Sequence, residues 1–329
     1  MYLYPVANNI FAIKSLADFN TVALQVFNYQ AANNTTYREF ITHLGIAVSE
    51  VKNVYQIPFL PITFFKQHRI VTGNNTSEIV FKSSGTTSSA QSQHYVSDIK
   101  LYEQSYISTF AHFYGDIKNI CILALLPNYL ERDGSSLIYM VNDLIAKSEH
   151  PQSGFFLYNT DELQAILGNL KSQNQKTILI GVTYALLDFV EKHTINFPEL
   201  IVMETGGMKG KRKEMIREKL HELLQSGFGV SHIHSEYGMT ELLSQAYSTG
   251  LGIFKCPHWM QVFIRDTNDP LTLLENGKTG GINVIDLANL YACSFIATQD
   301  LGKKHADNSF EVLGRFDNSD IRGCNLLLG

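Results

Sequence analysis

Between residues 98 and 235 short apolar runs of strand length alternate with longer segments of helical period, and few architectures accommodate that rhythm. A strand buried on both faces reads as an uninterrupted apolar run, whereas the helix that returns the chain to the next parallel strand keeps one polar side. Residues 120–126, 177–182 and 200–203 have the first pattern. Residues 98–113, 136–147, 161–171 and 208–224 have the second, and in the first of these Leu101, Tyr102, Ser105, Tyr106, Phe110 and Phe113 share one stripe. The expectation is an α/β fold of layered sheets. Within residues 1–60 the chain reads as helical, with Thr36 and Glu39 spaced as a capping box ahead of Phe40 and Leu44. After Trp259 the pattern becomes short strands over 260–265, 281–285 and 294–297, divided by Asn268-Asp269-Pro270 and Asn276-Gly277 turn signals. Four parts are therefore expected: a helical cap over 1–60, a core over 61–258, a small β-rich subdomain over 259–314 and a tail over 315–329.

Charge and composition remove several function classes. A formal net charge of −5 leaves no electrostatic footprint for nucleic acid or an anionic membrane. No run reaches the roughly 18 apolar residues of a spanning helix, and the N-terminus lacks a basic flank before an apolar core. The expected location is the cytoplasm. Cys121, Cys256, Cys293 and Cys324 are scattered without a C-x-x-C pair, which argues against a zinc site and a disulfide framework.

Three stretches carry chemistry. Ser83-Ser84-Gly85-Thr86-Thr87-Ser88-Ser89 follows a short apolar run, and its glycine lets N–H groups and hydroxyls converge on phosphate oxygens. A solvated loop has the same composition. The stretch is not a Walker-type loop, because no Lys-Ser/Thr follows Gly85 at that spacing. Thr205-Gly206-Gly207-Met208 follows a strand and is expected to open a helix, which would let a flat ligand lie on bare backbone, or simply make a tight turn. His234-Ser235-Glu236-Tyr237-Gly238-Met239-Thr240-Glu241 follows the apolar run 230–233 and offers an aromatic plane, a hydroxyl and a carboxylate. Stacking, phosphate contact and Mg²⁺ ligation need those three chemistries.

In this order, residues 83–88, Tyr237-Gly238-Met239-Thr240-Glu241, Thr298-Gln299-Asp300 and Gly314-Arg315-Phe316-Asp317 resemble the core motifs of the adenylate-forming superfamily of acyl-CoA synthetases and firefly luciferase. The finer resemblance is to LuxE-type acyl-protein synthetases. It rests on Pro58-Phe59-Leu60-Pro61-Ile62, Phe64-Phe65-Lys66, Leu126-Pro127-Asn128-Tyr129-Leu130-Glu131-Arg132 and Thr205-Gly206-Gly207-Met208-Lys209-Gly210. Asp286-Leu287-Ala288-Asn289-Leu290 and Ser319-Asp320-Ile321-Arg322-Gly323-Cys324 complete it. The resemblance implies that Ser83, Ser84, Gly85, Thr86 and Thr87 cradle the phosphates of ATP, and that Gly206, Gly207 and Met208 line the adenine. Tyr237, followed by Gly238, would stack on that base. Thr240 would meet the α-phosphate, Glu241 would hold Mg²⁺, and Asp300 and Arg315 would fix the ribose.

The implied reaction is attack of a carboxylate, expected to be a fatty acid, on the α-phosphorus with loss of pyrophosphate. Positioning and charge compensation account for most of such catalysis. The resemblance further implies transfer of the acyl group to Cys324, whose pKa Arg322 would lower; a buried packing role suits the same residue. Cys121, Cys256 and Cys293 are expected to be packing residues. An acyl-accepting protein, a carrier protein or CoA are the alternative acceptors, and a non-catalytic acyl-nucleotide binding module is the alternative of a different class.

The chain also departs from the superfamily. Ser88-Ser89-Ala90-Gln91 stands where many relatives have a glycine and a basic residue, and the usual lysine-bearing C-terminal domain is expected to be lacking. Lys82, Arg132, Lys209 and Lys211 are the candidate substitutes for that lysine. His94 and His234 are candidates to face the acid or the phosphates. Tyr129, Ser135, Ser136 and Tyr139 lie where the resemblance puts the acyl channel, although residues 136–139 suit a helix start equally well.

Overall fold

The computed structural model describes residues 7–84, 91–127, 134–206, 212 and 215–315. The protein is a mixed α/β chain that divides into two compact units. One holds the described residues of 7–105, 240–244 and 255–315, and the other those of 106–239 and 245–254. No helix among the described residues is long and apolar enough to cross a membrane.

The second unit contains the alternating region. Its strands stand in the order Ile253–Lys255, Ala246–Ser248, His234–Tyr237, Ile201–Thr205, Thr177–Val182, Cys121–Leu125 and Gly154–Phe155. From His234–Tyr237 onward neighbours run parallel, while Ala246–Ser248 is antiparallel to it. Every residue of Cys121–Leu125 and Thr177–Val182 is buried, the condition that an uninterrupted apolar run satisfies. Each large aliphatic side chain removed from water there stabilises the fold by about 1.5–3 kcal/mol. Helices Ser136–Ser148, Thr160–Ser172, Thr183–Lys192 and Arg217–Phe228 return the chain between strands.

One expectation needs correction here. The helix expected over 208–224 runs from Arg217 to Phe228. Ile216 precedes it in an extended conformation, and Leu220, Leu224 and Phe228 continue one buried stripe past the expected end. Gly227 sits in the last turn because a Cβ there would meet the Val190 side chain at 2.4 Å, and Gly229, at φ +69°, ends the helix. The Tyr237 motif begins in a strand, His234–Tyr237, whose backbone pairs with Met203, Glu204 and Thr205.

In the first unit helices Leu16–Asn33 and Thr35–His43 form the N-terminal region. Thr36 is not the cap of the second helix. Asn34 is, with its side chain accepting from the Tyr37 N–H at 3.0 Å, while Thr36 lies in the first turn. A capping box does occur one helix earlier: the Ser15 hydroxyl accepts from the Asp18 N–H at 3.1 Å and the Asp18 carboxylate from the Ser15 N–H at 3.0 Å. Met260–Arg265, Thr279–Asp286, Phe295–Lys304 and Phe310–Arg315 make an antiparallel meander, and Leu60–Pro61 pairs in parallel with residues 296–297.

The meander contains a close approach that only glycine allows. At Gly302, beside the irregularity between Leu301 and Gly302, a Cβ would lie 2.5 Å from the Glu311 carbonyl oxygen and 2.6 Å from Ile282. Backbone cannot retreat as a flexible side chain can. Gly302→Ala is expected to cost about 1–3 kcal/mol of stability, read as a lower urea midpoint at unchanged m-value.

Candidate active site

The hydroxyl-rich stretch begins where a β-hairpin opens. Strands Ile79–Lys82 and Gln93–Val96 pair from Ile79 with Val96 to Lys82 with Gln93. Beyond that last pair the Ser83 N–H donates to the Ser92 carbonyl at 3.0 Å, and the Ser83 hydroxyl accepts from the Ser92 N–H at 2.9 Å. Ser83 therefore closes the mouth of the loop, and Ser84 is exposed beside it. Gly85, Thr86 and Thr87 lie outside the described residues, as do Gly207, Met208 and Cys324.

Ser92 connects this mouth to Glu241, because its hydroxyl donates to the Glu241 carboxylate. The Glu241 side chain is buried, with 6% of the residue exposed. Burial pushes its carboxyl above the ordinary value, against the opposing effects of the Ser92 hydrogen bond and the positive charges of Arg315 and Lys66. Sequence reasoning proposed Arg315 but passed over Lys66. Its signal was available in Phe64-Phe65-Lys66, one of the stretches that carry the resemblance. Among the suggested substitute cations Lys82 is exposed, and Arg132, Lys209 and Lys211 lie outside the described residues.

Asp300 and Arg315 are brought together. They are direct partners across the antiparallel pair Phe295–Lys304 and Phe310–Arg315, so their side chains share one face of the sheet. Arg315 is exposed and donates to the Gln299 side chain at 3.3 Å.

In the second unit Gly206 and Tyr237 follow two adjacent residues of a parallel register, since Thr205 is the partner of Glu236. Both stand at the carboxyl ends of neighbouring strands, where open α/β sheets hold their ligands. The Thr205 hydroxyl donates to the Glu236 carboxylate at 2.8 Å. That carboxylate explains Gly238, where a Cβ would sit 2.3 Å from Glu236 Oε1. Tyr237 is buried, edge-on to Phe254 at 6.0 Å between ring centroids, and the Arg217 guanidinium lies 5.8 Å from the Phe254 ring centre. Gly206 adopts a left-handed φ of +61°, and the stretch expected to open a helix after it, Gly207 and Met208, lies outside the described residues.

Beneath these residues lies a cluster that the sequence reading did not anticipate. Glu204 accepts hydrogen bonds from Thr183 at 3.1 Å, His221 at 3.2 Å and Ser235 at 3.0 Å. Burial works to raise this carboxyl, but the His221 and Ser235 hydrogen bonds and the charges of His221 and Arg217 hold it below the ordinary value.

The two histidines proposed to face substrate are held by protein groups. His94 is fully buried, with Nδ1 2.8 Å from the Thr240 carbonyl and Nε2 2.9 Å from Asn289 Oδ1. Burial lowers its pKa to about 4 despite both contacts. His234 Nδ1 lies 3.3 Å from the Tyr114 hydroxyl, and burial followed by the neighbouring His232 lowers it to about 4 as well. Of the proposed channel residues, Ser135 caps the helix Ser136–Ser148 and Ser136 is buried in its first turn; Tyr129 lies outside the described residues.

The described cysteines are poor nucleophiles. Cys121 and Cys293 are buried, and burial raises Cys121 to about 11 and Cys256 and Cys293 to about 12. The donor set around Glu241 suits a hard cation. It is a buried carboxylate whose charge is incompletely compensated, and oxygen ligands are what Mg²⁺ takes. No cluster of three His, Cys, Asp or Glu side chains able to hold a metal occurs among the described residues.

The fold is that of adenylate-forming ligases. The chain is similar to ATP-bound MatB from Rhodopseudomonas palustris, with 17% identity, a TM-score of 0.55 and coverage of 74% of this chain and 49% of that one. It is also similar to a 2-hydroxyisobutyryl-CoA ligase in complex with 2-HIB-AMP and CoA, with 13% identity, a TM-score of 0.67 and coverage of 93% and 72%. The chain thus spans about half the length of the MatB structure it matches. No curated protein sequence gives a match. Residues 14–329 match the family described as acyl-protein synthetase, LuxE, and the chain belongs to that family.

Proposed function

We propose that this chain activates a carboxylic acid, a fatty acid by family analogy, as acyl-AMP and passes the acyl group to a thiol, its own Cys324 first among the candidates. The observation that carries the reading is the buried Glu241 carboxylate, joined through Ser92 to the Ser83 loop mouth and under the positive charges of Lys66 and Arg315.

A carboxylate oxygen of the acid bonds to the α-phosphorus of ATP while the bond to the pyrophosphate oxygen breaks and its electron pair leaves with pyrophosphate. Two anions must approach, so orientation and charge compensation carry the step. Mg²⁺ would supply charge compensation at the phosphates, and Glu241 would be its ligand from this chain. Ser83, Ser84, Gly85, Thr86 and Thr87 orient the phosphates, Thr240 meets the α-phosphate, and Asp300 with Arg315 holds the ribose. Gly206, Gly207, Met208, Tyr237 and Gly238 receive the adenine. The Cys324 thiolate, on the tail 315–329, then bonds to the acyl carbon and AMP departs with the electron pair of the broken mixed-anhydride bond. Reduced thiols are required, which agrees with a cytoplasmic location.

Acid-dependent ATP–pyrophosphate exchange over a panel of short to long acids tests the activation step. Intact-mass spectrometry after incubation with ATP and the preferred acid tests the acceptor. One hydroxylamine-sensitive acyl adduct is expected, absent in Cys324→Ser and kept in Cys121→Ser and Cys293→Ser, whose thiols burial holds protonated. The similar 2-hydroxyisobutyryl-CoA ligase structure contains CoA, which supports a second reading with an external thiol acceptor. Full thioester formation by Cys324→Ser with CoA would decide for it.

A further inference from the structure

Residues 240–244 belong to no strand or helix, yet Glu241, Leu242, Leu243 and Ser244 are all buried. Buried backbone must find hydrogen-bond partners, and without a ladder side chains can supply them. Three of them serve this segment. His94 Nδ1 meets the Thr240 carbonyl at 2.8 Å, Asn289 Nδ2 donates to the Glu241 carbonyl at 2.8 Å, and Asp286 accepts from the Leu243 and Ser244 N–H groups at 2.8 and 2.9 Å. Asn289 Oδ1 and His94 Nε2 lie 2.9 Å apart, so two of the three supports are neighbours.

The supports are themselves fixed. His94 lies in the hairpin strand Gln93–Val96, opposite Phe81, with the Phe65 ring edge-on at 5.7 Å. The Asn289 N–H donates to the Asp286 carbonyl at 3.1 Å, and its own carbonyl accepts from the Gln30 side chain, also at 3.1 Å. Gln30 belongs to the helix Leu16–Asn33 and is fully buried. Hydrogen bonds thus lead from the helix Leu16–Asn33 through Asn289 to the Glu241 carbonyl, while His94 Nδ1 holds the neighbouring Thr240 carbonyl.

We propose that His94 and Asn289 are positioning residues for acid activation, holding the Thr240 and Glu241 carbonyls and thereby fixing where the Thr240 hydroxyl and the Glu241 carboxylate stand. The inference rests on the adenylation reading above. Neither residue touches the reacting atoms; each acts through the backbone of the residues that do. A peptide plane freed to rotate moves both attached side chains, and a displacement of about 1 Å at reacting groups costs on the order of a hundredfold in rate.

The test compares His94→Ala, His94→Gln and Asn289→Ala with Leu170→Ala, a truncation of a buried residue in the helix Thr160–Ser172 of the other unit. Expected is a fall in kcat for ATP–pyrophosphate exchange of about tenfold to a hundredfold in the two alanine variants, at unchanged KM for the acid. Glutamine at position 94 can still donate to the Thr240 carbonyl and should recover part of that loss. Deuterium uptake by the peptide spanning 238–248 should accelerate in His94→Ala and Asn289→Ala and stay at the wild-type rate in Leu170→Ala. Wild-type uptake in both alanine variants, or a rate loss no larger than that of Leu170→Ala, overturns the proposal. Absence of exchange by the wild type with every acid would instead overturn the adenylation reading. The positioning role is then decided by uptake together with ATP affinity from calorimetry: it stands if both change in the two alanine variants and falls if either does not.

Discussion

Glutamine in place of Glu241 is expected to cut acid-dependent ATP–pyrophosphate exchange at least about a hundredfold while leaving the fold as stable as before. The side chain is nearly enclosed, and glutamine fills the same volume and can still accept from the Ser92 hydroxyl. What disappears is the negative charge. That charge is disfavoured by its burial and offset only in part by the Ser92 hydrogen bond, Arg315 and Lys66, so removing it relieves the folded state. The same charge is what a hard cation at the phosphates requires, and a neutral amide is a much weaker ligand for Mg²⁺. Stability and activity should therefore separate, with a thermal midpoint at or above wild type, a large loss of exchange and a higher half-saturating Mg²⁺ concentration. Exchange near the wild-type rate at ordinary Mg²⁺ would remove Glu241 from the mechanism.

The second large effect concerns folding. Asp286 is fully buried and its carboxylate accepts four hydrogen bonds: the Leu243 N–H at 2.8 Å, the Ser244 N–H at 2.9 Å, the Ser244 hydroxyl at 2.6 Å and the Ala288 N–H at 3.2 Å. Asp286→Ala strands three backbone donors at once, at about 1–3 kcal/mol each before water relieves any of them. A total loss of at least about 3 kcal/mol is expected, measured by urea unfolding.

The titration of Asp286 adds a signature in pH. Burial outweighs the hydrogen bonds and raises its pKa from 3.8 to about 6. The folded chain therefore holds this proton more tightly than the unfolded chain does. The stabilising contribution is fully present below about pH 4 and is lost as pH rises through 6, a swing of about 3 kcal/mol. Asparagine cannot titrate, so the stability difference between wild type and Asp286→Asn should change in the wild type's disfavour between about pH 4 and 6. A difference that is flat over that interval would show that the four donors keep the carboxyl ionised in the folded protein.

Much of the candidate site was legible because its chemistry is local in sequence. Tyr237, Gly238, Thr240 and Glu241 are near neighbours, and their residue types suit the proposed stacking, close backbone approach, phosphate contact and metal ligation. Asp300 and Arg315 were named separately, and the antiparallel register pairs them. His94 was misread for the opposite reason. His94 carries no sequence mark that distinguishes a substrate ligand from a backbone support, because its partners Thr240 and Asn289 lie 146 and 195 residues away. The cap of the second helix was placed two residues late because Thr36 and Glu39 fit the pattern, whereas Asn34 already satisfies the Tyr37 N–H.

By itself the sequence determined the α/β class, most element positions in the alternating region and the order of the nucleotide motifs. Hydrophobic period and turn chemistry are properties of neighbouring residues, and the sheets and helices have little freedom once those are set. Only the tertiary structure decided what surrounds Glu241. Whether a carboxylate is solvated or enclosed, and which hydroxyls and ammonium groups face it, depends on residues drawn from positions 66, 92 and 315. The same holds for the segment 240–244, whose backbone is held by His94, Asp286 and Asn289. An irregular buried segment has no hydrogen-bond ladder of its own, so its conformation is written in distant side chains that local sequence pattern cannot identify.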